Sequence, residues 1–498
     1  MSGTIPKRSL GGCLTCKRRK KKCDERRPCC RRCEMGDFKC QGYTLPNASY
    51  AEVAPFTAII WPSNSHTFGS FDSLVPTPDY TNKVEQPPSG GVLFQGIQPP
   101  PSNIPRSIPF DPTMLDDIKS LIVSQYVKIS QEALFKPPPL SIEAGVLRRI
   151  SDSSITHWSM YLGARLITDI LNGNNIQKYL GLIFRFCQQL TETPSSNEQM
   201  PSLRGRLSGL YDLMCFGAII SGTATGYSLL RRCTPVLLRL AALYPNLWAN
   251  NSSISVPETF RNWQYEVTQF IIHDTITALA LGIPSILQYD TTASWVDKAP
   301  GHYMEWVHGF PVGLLILLAE INAWRTSRMM GEINQNQTNF RSIEHRLNTW
   351  NPIMDYTGEP DNDIARLAIQ EACRQATLVY LYMGMCEVNS ADPRVERAVE
   401  QIVRLGNTIT SGSFLERHLL IPCLIAGVAA RQEKHRATLR GKITTESPKK
   451  VNSLVLPMRG SDFVPVLDHL WHGVGSGGCP VMWEDYVKSR CAVLSLHA

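Results

Sequence analysis

The chain is 498 residues long, 43 % hydrophobic and 19 % charged, with a formal net charge of +7. That is too long for one small core and too apolar for a chain without folded parts, so two or more units are expected. The charge is concentrated. Residues 1–43 hold thirteen Lys or Arg against four Asp or Glu, a net +9, while the remaining residues sum to −2. This asymmetry predicts a polyanionic partner for the N-terminal segment alone. No apolar stretch follows Lys7-Arg8, so no secretory leader is read. No run reaches the ~18 apolar residues of a membrane helix; the longest, Leu419–Ala430, is shorter and contains Pro422, and reads as a buried helix. An intracellular chain keeps its thiols reduced, which turns a dense cysteine group toward metal rather than disulfides.

That group comes first along the chain. Seven of the fifteen Cys lie within residues 13–40. Cys13-x2-Cys16-x6-Cys23 is repeated as Cys30-x2-Cys33-x6-Cys40, two arms joined by a six-residue gap. Two residues between thiolates let both sulfurs reach one metal. Two tetrahedral zinc ions need about eight coordination positions, and six thiolates supply them only if two sulfurs bridge. The repeat suggests the first Cys of each arm, Cys13 and Cys30, as that pair. Six thiolates with two Zn²⁺ would leave a core charge of about −2, offset by the surrounding Lys and Arg. Cys29 breaks the repeat if used as a ligand and is read as a spare thiol.

The stretch Cys13-x2-Cys16-Lys-Arg-Arg-Lys-Lys-Lys-Cys23-Asp24, followed by Pro28-x-Cys30-x2-Cys33-x6-Cys40, resembles the fungal Zn2Cys6 binuclear cluster over about thirty residues. The resemblance implies a nuclear, sequence-specific DNA-binding regulator of RNA polymerase II genes. It agrees with bridging by Cys13 and Cys30, and assigns Pro28 to the loop between the arms. The run Lys17 to Lys22, clamped between Cys16 and Cys23, is expected to form a short helix in the major groove. There Lys or Arg donates to guanine O6 and N7. Carried over from the family, the position four after the second ligand reads the bases, which is Lys20 here, with Arg19 as second choice and a CGG-type triplet as the half-site. Lys17, Arg18, Lys21, Lys22, Arg31 and Arg32 are expected to hold phosphates, which fix register without reading sequence. Taken without its cysteine frame, the same run reads as a nuclear import signal.

Residues 44–112 carry thirteen of the thirty-four Pro, and a Pro-rich linker is expected over 44–110. The coiled coil that often follows such clusters is not read in residues 41–60, where Pro46 and Pro55 interrupt any heptad. A homodimer would have to form through the large domain; a monomer is the other option. From Asp111-Pro112 the pattern is helical, with Asp111 as N-cap and Pro112 at the first helical position. Segments follow at 155–172, 176–193, 205–222, 227–243, 257–281, 303–326, 362–386, 393–410, 417–434 and 463–472, with irregular stretches near 283–301, 327–361 and 441–462. The expectation is a small metal-stapled domain (1–43) plus a large all-α domain (111–498). His418-Leu-Leu-Ile-Pro-Cys-Leu-Ile-Ala-Gly427, the basic helix Arg431–Arg440, and Val466-Leu-Asp-His-Leu-Trp471 before Trp483-Glu-Asp-Tyr-Val487 resemble the fungal-specific transcription factor domain. That resemblance implies a regulatory module responding to a small-molecule effector or the transcription machinery, and not a catalyst.

No catalytic constellation is read. Asp116-Asp117 and Asn362-Asp363 lack the further ligands of an Asp-rich metal motif and read as cap or surface residues. His469, His472 and Cys479 read as core or surface residues, and Trp471 and Trp483 as core anchors. The eight Cys outside the cluster read as small buried apolar residues. Two alternatives stand beside the main reading: an RNA-binding or sequence-independent nucleic-acid binder, and a metal-responsive or enzymatic protein in which the cluster is only structural.

Overall fold

The computed structural model describes residues 13–26, 30–36, 38, 40, 112–138, 141–192, 199–249, 252–261, 265–292, 303–331, 340–352, 359–444 and 456–496. They fall into two units, divided between Pro55 and Phe56. The expected linker 44–110, the stretch 41–60 that lacks a heptad, Asp111, Pro28 and Cys29 lie outside the described residues.

Among the described residues the small unit has two short helices, α1 (Leu14–Arg18) and α2 (Arg31–Glu34). Its buried apolar side chains are cysteines, Cys13, Cys16, Cys23, Cys30 and Cys33, with Cys40 partly buried against them. Among the described residues of this unit there is no aliphatic core, so a bound metal would supply the folding energy.

The large unit is mainly helical over its described residues, with turns between the helices and a two-residue parallel ladder, β1 (Ile254–Ser255) with β2 (Tyr289–Asp290). It begins with α3 (Pro112–Ala133), where Pro112 takes the first helical position as expected. α4 (Ile142–Asp152) and α5 (Ser154–Leu171) pack on α3 around Ile122, Val146, Ile150 and Met160. The main core runs through α6 (Leu180–Glu192), α7 (Met200–Ser221) and α8 (Thr223–Ala241). Only Gly222 separates α7 from α8, at φ 91°, a conformation other residues resist. A Cβ there would also lie 2.7 Å from the Asp462 carboxylate, which accepts the Thr223 amide at 2.6 Å.

α9 (Val256–Arg261) leads to α10 (Tyr265–Leu281), in which every residue is buried. A helix apolar on one face only cannot occupy that position; α10 is wrapped on all sides. Among its polar side chains Asp274 is paired inside, whereas the hydroxyls of Thr268, Thr275 and Thr277 meet no hydrogen-bond partner among the described residues. Asp274 accepts the Ile286 and Leu287 amides at 2.8 and 3.2 Å and the Tyr289 hydroxyl at 2.6 Å, and burial raises its carboxyl to about 6. Asn322 donates to Thr275 O at 3.0 Å and accepts from Tyr380 Oη at 2.8 Å, joining α10 to two later helices. These are α12 (Val312–Met329), which follows the short α11 (Tyr303–His308), and α14 (Pro360–Tyr380), which follows α13 (Phe340–Thr349). Next come a π-helical turn at Leu381–Met385, α15 (Pro393–Thr408), α16 (Leu420–Ala429), α17 (Glu433–Thr444), α18 (Val464–His472) and α19 (Trp483–Val493).

The helical reading of the large domain holds, with differences of detail. The segment expected over 257–281 is covered by α9 and α10, with residues 262–264 outside the described set. That over 303–326 is two helices, broken at Gly309, whose φ of 67° and near contact with the Phe135 ring (2.6 Å from a built Cβ) exclude a side chain. The stretch expected to be irregular near 327–361 contains α13, which buries only Ile343 and Leu347. In α16, Pro422 sits in the first turn, where its missing N–H costs nothing, and the surrounding helix is buried as expected. Among the described residues no helix is long and apolar enough to cross a membrane.

Candidate metal centre and nucleic-acid interface

The short loops of both arms fold their sulfurs inward in the same way. Cys16 N donates to Cys13 Sγ at 3.4 Å, and Cys33 N donates to Cys30 Sγ at 3.3 Å, where Cys30 is the N-cap of α2. Cys23 Sγ accepts from Cys13 N at 3.3 Å and Glu25 N at 3.4 Å. Such N–H···S contacts offset the negative charge of a thiolate cluster.

The sulfurs form two quartets, Cys13, Cys16, Cys23, Cys30 and Cys13, Cys30, Cys33, Cys40, with the ligand atoms of each within 4.8 Å of one another. Cys13 and Cys30 belong to both, as the chelate count requires. Their sulfurs are 3.5 Å apart, with Cys13–Cys33 at 3.8 Å and Cys16–Cys30 at 3.7 Å. A zinc–sulfur tetrahedron with bonds of about 2.3 Å has an edge of about 3.8 Å, so the donor set fits two zinc ions. Burial pushes the Cys13 thiol up to about 12 and moves Cys16 and Cys30 in the same direction. Burial thus works against the thiolate forms, and a bound cation such as zinc would offset it.

One side chain ties the arms together. The Asp24 carboxylate accepts the backbone N–H groups of Arg31 at 3.0 Å and Arg32 at 3.2 Å. Desolvation acts to raise its carboxyl, but these amides outweigh it and hold the group below the usual carboxylate range. The Arg32 guanidinium returns the tie, donating to Lys22 O at 3.2 Å. An exposed pair, Arg26 with Glu34 at 3.4 Å, links the same segments.

The basic run is not one helix. α1 stops at Arg18; Arg19 N donates to Thr15 O at 3.1 Å and Lys21 N to Cys16 O at 3.0 Å. The second bond spans six residues and closes a Schellman turn, whose left-handed position is occupied by Lys20 at φ 53°. Glycine is the usual occupant, because a Cβ there costs about 1–2 kcal/mol. Lys20 is thus thrown off the end of the helix, exposed, with Lys21 and Lys22 outside any helix or strand beyond it. Of the helix expected over Lys17–Lys22, only the first two residues are helical, the next two form the turn, and the last two lie beyond it. Arg18 and Arg31 are exposed, and the side chain of Lys17 is outside the described set. Arg19 differs from its neighbours: it is half-buried, with its guanidinium carbon 3.3 Å from the centroid of the Phe38 ring.

The other candidates separate cleanly. Asp363 pairs with Arg366 at 2.9 Å and Asn362 bonds Glu359, as surface and cap residues do. Asp117 is exposed, and the side chain of Asp116 is outside the described set. His469 Nδ1 pairs with Ser489 Oγ at 3.1 Å, His472 is exposed, and neither joins Cys479 in a metal-capable group among the described residues. Trp483 is buried between Tyr380 and Tyr486, and Trp471 donates to Gly427 O at 2.9 Å, both as core anchors. Five of the outlying cysteines are buried, Cys386 is half-buried, and Cys479 and Cys491 are exposed, so the buried-apolar reading fails for those two at the polar C-terminal end. Sequence reasoning missed Asp24 and Phe38. The signal for Asp24 was its place directly after the third ligand; Phe38 carried none.

A model of the fungal Zn(2)-Cys(6) binuclear cluster domain matches residues 11–49, and one of the fungal specific transcription factor domain matches residues 154–458. The N-terminal segment is 52 % identical over 48 residues to an aspercryptin biosynthesis cluster-specific transcription regulator of Emericella nidulans, covering 9 % of this chain and 8 % of that protein. It is 51 % identical over 39 residues to the white-opaque regulator 2 of Candida albicans, covering 8 % of this chain and 9 % of that one. The chain therefore matches less than a tenth of the length of either relative. No solved structure matches. The six cysteines form a binuclear zinc centre, and the chain, more than half of it matched by the helical regulatory model, belongs to the fungal specific transcription factor domain family.

Proposed function

We propose that the protein is a nuclear, sequence-specific DNA-binding regulator of transcription by RNA polymerase II, reading CGG-type half-sites through its zinc cluster. The observation that carries this is Lys20. It is an exposed cation held in a costly backbone conformation just past the end of a helix that follows the ligand Cys13 and contains the ligand Cys16. Strain kept at a fixed point is a mark of function. In this reading Lys20 donates to the guanine edge. Arg18, Lys21, Lys22 and Arg31, with Lys17, hold phosphates. Arg32 supports this set from the second arm, where its guanidinium also braces Lys22. The family supports DNA as the partner and the nucleus as the location, and the relatives named above are regulators by name. The helical domain acts as the regulatory part, responding to a small effector or to the transcription machinery, and provides any homodimer contact.

The test uses the full chain: zinc per chain, then affinity for a CGG-bearing duplex, a scrambled duplex and an RNA duplex of the same sequence. Salt is held fixed, because phosphate neutralisation alone makes affinity steeply salt-dependent. Two zinc ions and preference for the CGG duplex are expected. Equal affinity for both DNA duplexes refutes base reading, and preference for RNA replaces the reading with an RNA-binding one.

A further inference from the structure

The second arm of the cluster places an aromatic ring against the first arm's basic run. Phe38 N donates to Cys33 O at 2.9 Å, which fixes the backbone at the ring. Gly36 makes room for it, since a Cβ at 36 would lie 2.9 Å from Phe38 Cδ2. The ring remains 43 % exposed and covers the guanidinium of Arg19 at 3.3 Å from centroid to Cζ. A ring packed only for burial would be expected to meet the cysteine core; this one meets a cation nineteen residues away in sequence.

The geometry of a stacked guanidinium has a specific consequence. Stacking occupies a face of the plane and leaves the in-plane N–H donors at its edge. It also removes rotamer freedom that an arginine on the surface would otherwise lose when it binds. Among the described residues no ring lies against Arg18, Lys20, Lys21 or Lys22, which are exposed, whereas Arg19 is half-buried against one. We infer that Phe38 is a positioning residue that holds the Arg19 guanidinium for edge-on, bidentate donation to a guanine, making Arg19 a second base-reading residue beside Lys20. The inference rests on the DNA-reading function proposed above. A phosphate contact needs no fixed plane; a bidentate contact to O6 and N7 does.

The experiment measures full-chain affinity for the CGG duplex and the scrambled duplex over a range of salt, together with zinc content. The variants are Phe38→Ala, Phe38→Trp and Arg19→Lys. Phe38→Ala should weaken the CGG complex roughly five- to tenfold, leaving the scrambled complex and the salt slope unchanged. Phe38→Trp should restore affinity, and Arg19→Lys, which keeps the charge but loses the plane, should match Phe38→Ala. Wild-type preference in Phe38→Ala overturns the inference. So does an equal loss on both duplexes with a salt slope smaller by about one, the signature of a phosphate contact. Should Phe38→Ala release zinc, Arg19→Lys decides alone, and wild-type preference in that variant overturns the inference. If the wild-type chain itself prefers neither duplex, the underlying DNA-reading function fails instead, and the two failures are told apart.

Discussion

Replacing Lys20 by glycine should separate the folding of the cluster from its reading of DNA. Lys20 holds the left-handed position of the turn that ends α1, at φ 53°. A Cβ in that region costs about 1–2 kcal/mol, while glycine carries an unfolded-chain penalty of about 0.5–1 kcal/mol. The difference runs from near zero to about 1.5 kcal/mol in favour of glycine, so Lys20→Gly should fold and hold zinc at least as well as the wild type. Lys20→Ala keeps the strain and gains nothing. Both lose the side chain that reads the base, at a cost of about 1–3 kcal/mol, or roughly five- to 150-fold in affinity for the CGG duplex. Fluorescence anisotropy with labelled CGG and scrambled duplexes at one salt concentration measures the loss, and zinc analysis with resistance to a chelator measures the cluster. Zinc lost from Lys20→Gly would refute the turn argument. Equal weakening on both duplexes would refute base reading while leaving the turn argument intact.

Other outcomes follow from the same structure. Asp24→Ala removes the acceptor for the Arg31 and Arg32 amides and should speed zinc transfer to a chelator; an unchanged transfer rate would show that the arms need no tie. Arg149 and Asp212 form a nearly buried ion pair at 2.7 Å, supported by Ser159 and Ser208. Arg149→Leu should cost about 3–5 kcal/mol by leaving the carboxylate without a cation, and Arg149→Leu with Asp212→Leu should recover most of it. A double variant as unstable as the single one would contradict this. Burial, and then the neighbouring Arg417, push the His418 imidazole down to about 3 from 6.5. The folded state then binds fewer protons than the unfolded one over that window, so stability should fall as pH drops below about 6.5. All ten Trp lie outside residues 1–43, so tryptophan fluorescence follows unfolding of the large part alone. His418→Gln should flatten its pH dependence, and an unaltered slope would rule His418 out as its source.

What the sequence made legible was local. Two residues between thiolates, repeated with a fixed longer gap, set the ligand set and the shared pair by chelate geometry, and the structure brings the six sulfurs together in that pattern. The left-handed backbone at Lys20 was hidden because lysine carries no mark of that conformation; a glycine there would have announced the turn. The Phe38 stack was hidden because it joins positions nineteen residues apart with no periodic signal. In the helical part, amphipathic stretches such as α15 read clearly, whereas α10, buried on every side, had no polar face to mark its ends. α13 was lost for the opposite reason, since its mostly polar sequence buries just one pair at i, i+4 spacing.

The pair of sulfurs common to both quartets also sets how the centre would respond to the loss of a ligand. Cys13 and Cys30 each belong to both groups, whereas Cys16, Cys23, Cys33 and Cys40 each belong to one. Removing either shared sulfur would therefore take a ligand from both zinc ions at once, while removing any of the other four would leave one quartet whole.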